Sequence, residues 1–149
     1  MLTLNGAGDI LQRLVAMKAA SNETRYAYLG LSLTPGNVKG EGITEPTGLS
    51  YQRALIGRKG QNQTTLACFT TPAIENGNSV FIENDVEIHF NEVQETEGWG
   101  EIRYFAIYES ATGGTPIYVG QLTKSIVPTV NTVPLARKGN IKITLAPGE

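Results

Sequence analysis

Cysteine is almost missing from this 149-residue chain: Cys68 stands alone, so no disulfide can form within it. Its neighbours Leu66, Ala67 and Phe69 mark it as a small buried hydrophobe rather than a nucleophile. Histidine is equally scarce, with His89 the single example. One histidine and one cysteine fall short of the four ligands of a structural zinc site, so no metal and no cofactor is expected. No apolar run approaches the ~20 residues that a membrane-spanning helix needs. The first residues, Met1-Leu2-Thr3-Leu4-Asn5, lack the basic-then-apolar order of a secretory leader, so a soluble protein without membrane partners is expected. Charge is sparse as well: 12 basic and 14 acidic residues leave a formal net charge of -2. The basic pairs Arg58-Lys59 and Arg137-Lys138 sit apart beside glycines and read as solvated turns. Without clustered cations, nucleic acid is not an expected partner.

What remains is a globular composition, 40% hydrophobic with 17 glycines, sized for one β-rich domain after a short N-terminal segment. The segment, residues 1–24, carries the one helical pattern. From Asp9 to Ala20 the apolar Ile10, Leu11, Leu14, Val15 and Met17 fall on one face, Asp9 is suited to cap the start, and Ser21-Asn22 to end it. Such a face must be covered, by the chain's own sheet or by a partner. Ile10, Leu11, Leu14 and Met17 are therefore candidate docking residues.

From residue 25 to 149 the period changes to alternation. Arg25 to Leu33 sets Ala27, Leu29, Leu31 and Leu33 against Tyr26, Tyr28 and Ser32; Val86-Glu87-Ile88-His89-Phe90-Asn91 is the cleanest half-buried strand; Ile141 to Leu145 repeats the pattern. Further strands are expected at 51–57, 64–70, 79–82, 101–108, 115–123 and 131–135, parted by turn residues such as Pro35-Gly36, Asn76-Gly77 and Gly113-Gly114. Seven to nine short antiparallel strands at this spacing predict an all-β sandwich, of jelly-roll or immunoglobulin-like type, with one N-terminal amphipathic helix. The first and last strong strands are expected to share a sheet. The Gly-rich stretch 34–48 has no period and reads as a long exposed loop, a kind that in compact domains is mobile or functional.

Chemistry finds few candidates. Alternation sends His89 to the solvent face. The acids Asp85, Glu87, Glu92 and Glu97 lie in polar stretches without the ordered spacing of a calcium loop, and would matter to a hydrolase only by converging in one cleft. No serine sits in a Gly-x-Ser-x-Gly turn, and the glycine loops lack a phosphate-binding lysine ending. An enzyme is not expected. Trp99, between Gly98 and Gly100, stands at a strand entrance and reads as a structural corner; exposed beside Tyr51, it would instead make a stacking platform for sugar rings.

Three ordered segments carry a family likeness. Tyr28-Leu29-Gly30-Leu31-Ser32 leads through a Gly-rich loop to Glu45-Pro46-Thr47-Gly48 and Tyr51-Gln52-Arg53. Trp99-Gly100 precedes Phe105-Ala106-Ile107-Tyr108 and its Ala111-Thr112-Gly113-Gly114 turn. Gln121-Leu122-Thr123-Lys124 and Ile141-Lys142-Ile143-Thr144-Leu145 close the pattern. Together they resemble short proteins of tailed bacteriophages known as tail fibre proteins. The resemblance implies a non-enzymatic structural component made in the host cytoplasm and carried in the virion. It would be an appendage or fibre, or a capsid-decorating module, contacting other virion proteins and further copies of itself. A carbohydrate-binding module for a host-surface glycan is the alternative, and it rests on Trp99 and Tyr51.

Overall fold

Alternation around Leu29 and Ile107 sets these side chains opposite each other on antiparallel strands, with Leu31 facing Phe105 beside them. All four are fully buried, and the fold grows from this pairing. The computed structural model describes residues 1–20, 22–60 and 63–147, with the backbone alone at 63–65. In chain order the elements are α1 (Leu4–Leu14), β1 (Arg25–Ser32), β2 (Ala54–Gly60), β3 (Gln63–Ala67), β4 (Ala73–Glu75), β5 (Ser79–Glu83), β6 (Ile88–His89), β7 (Ile102–Tyr108), β8 (Tyr118–Ile126), β9 (Leu135–Ala136) and β10 (Lys142–Leu145). They form a five-stranded sheet ordered β3-β2-β1-β7-β8, a three-stranded sheet β10-β5-β4 and a small β6-β9 pair, all antiparallel. The expected all-β, sandwich-like fold with one N-terminal helix is what the chain adopts.

The core lies between these layers. Leu29, Leu31, Phe105 and Ile107 meet Ile56 from β2, the cross-strand pair Ile82 and Ile143 from β5 and β10, and Leu11 from α1. Burying each such side chain contributes about 1.5–3 kcal/mol, so this apolar contact dominates the stability of the fold. Helix α1 packs on β5 and β10 through Ala7, Leu11 and Val15, so its apolar face is covered by the chain itself. No helix among the described residues is long and apolar enough to cross a membrane.

Several expectations need correction. The helix starts and stops earlier than Asp9–Ala20. Thr3 is the cap, its hydroxyl accepting from Gly6 N at 3.0 Å, and Asp9 lies mid-helix beside Arg13 and Lys18. Two glycines of low helix propensity, Gly6 and Gly8, conceal that first turn in the sequence. The end is a Schellman turn: Met17 N bonds Gln12 O at 2.8 Å and Ala16 N bonds Arg13 O at 3.2 Å, with Ala16 at φ 55°. Ser21, given the stop role with Asn22, lies outside the described residues.

The long strand at 86–91 shrinks to Ile88–His89, because β5 ends at Glu83 and the chain bends through 85–86. Val86 is 41% exposed, while Ile88 and Phe90 are buried as expected. The first and last strong strands do not share a sheet: β2 and β7 occupy both edges of β1, and β10 pairs with β5. Strand β4 was not foreseen; it pairs with β5 across the Asn76-Gly77 turn.

One glycine decides how the layers meet. A Cβ at Gly57 would collide with the Val15 carbonyl oxygen, so the inner strand β2 accepts the end of the α1 segment only where a side chain is missing.

Candidate functional site

Register places Tyr28, Gly30 and Ser32 of β1 and Tyr104, Ala106 and Tyr108 of β7 on the sheet face opposite the core. Sequence alternation makes this the wet face. Gly30, Ser32, Ala106 and Tyr108 are instead buried, because the 34–53 segment folds back across them. Its base is stitched down: Leu33 N bonds Thr44 O at 2.9 Å, and Ser32 Oγ accepts from Thr34 N and Thr44 N. Its outer part remains exposed, Val38 and Leu49 fully so.

At the end of this strap, Glu45 and Arg53 close on each other. Arg53 donates Nη2 to Glu45 Oε1 at 2.8 Å and Nε to Oε2 at 3.1 Å, a bidentate pair. Its remaining nitrogen, Nη1, donates to the carbonyls of Ser110 at 3.0 Å and Gly113 at 2.8 Å. The guanidinium also lies 3.3 Å from the Tyr108 ring centre. Tyr51 donates its hydroxyl to Glu45 and accepts from Leu31 N at 2.9 Å. Gly30 leaves room for this: a Cβ there would stand 3.1 Å from the Glu45 carboxylate and 2.9 Å from Tyr108.

Charge and burial shape the titration of these groups. Burial, and then the Glu45 carboxylate, push the Tyr51 phenol far above its usual range, and Tyr108 moves up for the same two reasons. Burial opposes the charge on Arg53, but its bonds to Glu45 outweigh that and hold the guanidinium above its usual value. The Arg53 side chain is only 6% exposed, so this is an enclosed pair rather than a surface one.

A second latch adjoins the first. Glu95 accepts from Ser50 N at 3.2 Å, from the Ser50 hydroxyl, and from Trp99 Nε1 at 2.8 Å. The Ser50 hydroxyl bond, followed by the Trp99 bond, lowers the Glu95 carboxyl to about 2. Tyr51 meets Trp99 edge to face, with ring centroids 5.3 Å apart. A cleft of about 410 Å³ opens between the 45–53 and 111–113 segments, and Glu45, Tyr51 and Arg53, all partnered, form part of its wall.

The sequence candidates are therefore placed as follows. Trp99 and Tyr51 do come together, but Trp99 is 4% exposed and its ring is not offered to solvent. The ring is enclosed instead by its edge-to-face contact with Tyr51 and its bond to Glu95. Of the helix residues, Leu11 is fully buried in the chain's own core and Leu14 and Met17 pack against that core, whereas Ile10 is 40% exposed. Cys68 is buried and free, and burial raises its thiol above the usual range. His89 is exposed, as alternation requires. Among the described residues, no group of three or more His, Cys, Asp or Glu side chains could hold a metal ion. What the residue-by-residue reading missed is the pairing of Glu45 with Arg53; the one signal was their joint presence in the Glu-Pro-Thr-Gly…Tyr-x-Arg motif.

Comparison with known proteins gives one family. Residues 7–144 match a family model described as podophage GP4 fiber I protein gp80. No curated protein matches the chain.

Proposed function

The chain belongs to the podophage GP4 fiber I protein gp80 family, a phage structural component, and from that premise we propose that it is a non-enzymatic fibre module fixed in the virion by protein–protein contacts. The observation that carries the reading is the closure of its chemically capable groups. Glu45, Tyr51, Arg53 and Glu95 are consumed in holding a strap and a corner together, which suits a rigid building block. The exposed aliphatic tips Val38 and Leu49 of the strap, and Ile10 on the helix, are the parts that a neighbouring virion protein or another copy reaches. Host-glycan recognition would need a surface other than Trp99.

Cryo-electron microscopy of the purified virion tests this. Density for the domain in a tail or fibre supports the proposal. Density spread over the capsid lattice would replace it with a decorating module, and absence from the particle would end it.

A further inference from the structure

On another side of the molecule, the end of β8 and the turn after β9 wall a groove of about 400 Å³. Its apolar surface comes from Ile126 and Leu135, both half-buried. Lys124, Arg137 and Lys138 line it, and none of its described lining residues is acidic. Residues 127–134, which join the two walls, leave Val127 60% and Val133 49% exposed. A shallower cleft containing Val86 and His89 shares Arg137 and Lys138 and lengthens the surface. Glu87 also borders that cleft, 3.7 Å from Arg137, but the Arg137 side chain is 78% exposed. A long, wet pair of this kind is a weak competitor for an incoming carboxylate.

The walls are held in place from beneath. Asn84, 1% exposed, donates its amide to the carbonyls of Val86 and Arg137, 2.9 Å each, and accepts from Ile141 N at 2.9 Å. Asn140 accepts from Lys124 N at 2.7 Å, tying the turn to β8. A pinned turn leaves only the side chains, and not the backbone that carries them, to be ordered when the cations meet a partner.

We propose that this groove docks an extended segment of another protein, one that carries carboxylates around at least one leucine-sized side chain. The three cations select the charge, and Ile126 and Leu135 supply the apolar contact. That mixture favours a peptide over a polyanion, since a phosphate chain gains nothing from the aliphatic floor. The proposal rests on the fibre reading only for the partner's being a virion protein.

A fluorescein-labelled peptide with glutamates flanking leucines in a Gly/Ser background is the probe, read by anisotropy against the purified chain. Binding that weakens with salt is expected. It should fall roughly tenfold in the Lys124→Glu/Arg137→Glu/Lys138→Glu variant, and by a similar factor when the peptide's glutamates become glutamines. All three replaced side chains are exposed, so the variant should melt as the parent does. No binding by the parent chain, or equal binding by the variant, overturns the proposal. Equally good competition by oligothymidylate also overturns it, and makes the groove a polyanion site. If the peptide fails while the domain is found in the virion, the docking site alone is lost. If the peptide binds but the domain is absent from particles, the fibre reading alone is lost.

Discussion

The Trp99 indole N–H donates to the Glu95 carboxylate across 2.8 Å, and the same carboxylate holds the backbone and hydroxyl of Ser50. One acid thereby joins the end of the strap to the entrance of β7. Because Ser50 directly precedes Tyr51, which reaches Glu45, the Glu95 and Glu45 latches form one connected network.

Acid should loosen the first of these latches in a defined window. The Glu95 carboxyl stands at about 2 in the fold against an ordinary 4.5, so its folded value is depressed. Its stabilising contribution is then complete above 4.5 and is lost as pH falls towards 2. Glu95→Gln has no such titration. Urea midpoints should show the parent chain ahead of Glu95→Gln at neutral pH, with the gap closing through that acid window. A gap that stays constant down to pH 2 would contradict the assignment.

The Glu45–Arg53 latch depends on the shape of arginine as well as its charge. Arg53→Lys keeps the charge but cannot bond both Glu45 oxygens and both the Ser110 and Gly113 carbonyls, and it loses the flat contact on Tyr108. With the pair enclosed, a loss of about 2–3 kcal/mol is expected by urea denaturation. Amide exchange should rise in the 34–50 strap before it rises in the core strands. A loss below about 0.5 kcal/mol, the range of ordinary surface changes, would show that the pair holds nothing.

These latches also mark the limit of what the sequence made legible. Period-two alternation located β1 and β10 and the inward positions Leu29, Leu31 and Ile143, because burial on one face leaves that pattern directly. It could not say that the other face of β1 is covered too. Ser32 and Tyr28 read as solvent positions whether water or a folded-back loop lies above them. Likewise Asp9 suits a helix cap on its own merits, and only the three-dimensional start at Thr3 shows it paired with Arg13 instead. The Trp99 site was half legible: its flanking glycines indicated a corner, but the acid that receives its N–H lies in a loop without any period.

Gly57 offers a sharp test of how the helix segment meets the sheet. Gly57→Ala places a methyl group against the Val15 carbonyl oxygen, which backbone packing holds in place. A melting temperature lower by roughly 5–10 °C is expected, corresponding to a few kcal/mol in a domain of this size. Gly60, in the same strand, has no atom of the described residues within 4 Å of where its Cβ would be. Gly60→Ala should leave the melting temperature within about 2 °C of the parent. Equal effects at the two positions would mean that the segment after α1 does not sit on β2.

Asn84 links core stability to the groove beside β8. Replacing it with alanine removes the partner of the buried Ile141 N and of the half-buried Val86 and Arg137 carbonyls together. Unsatisfied groups of this kind cost about 1–3 kcal/mol each, softened where water enters, so a loss near 3 kcal/mol is expected by urea denaturation. Asn84→Asp keeps the acceptor for Ile141 N but sets a carboxylate against two carbonyls, and should be no better tolerated. The acidic peptide reports separately on the turn: at temperatures where Asn84→Ala is still folded, its affinity should drop, because Arg137 and Lys138 then sit on an unpinned segment. Unchanged affinity in a folded, destabilised Asn84→Ala chain would mean that the cations bind without a rigid support.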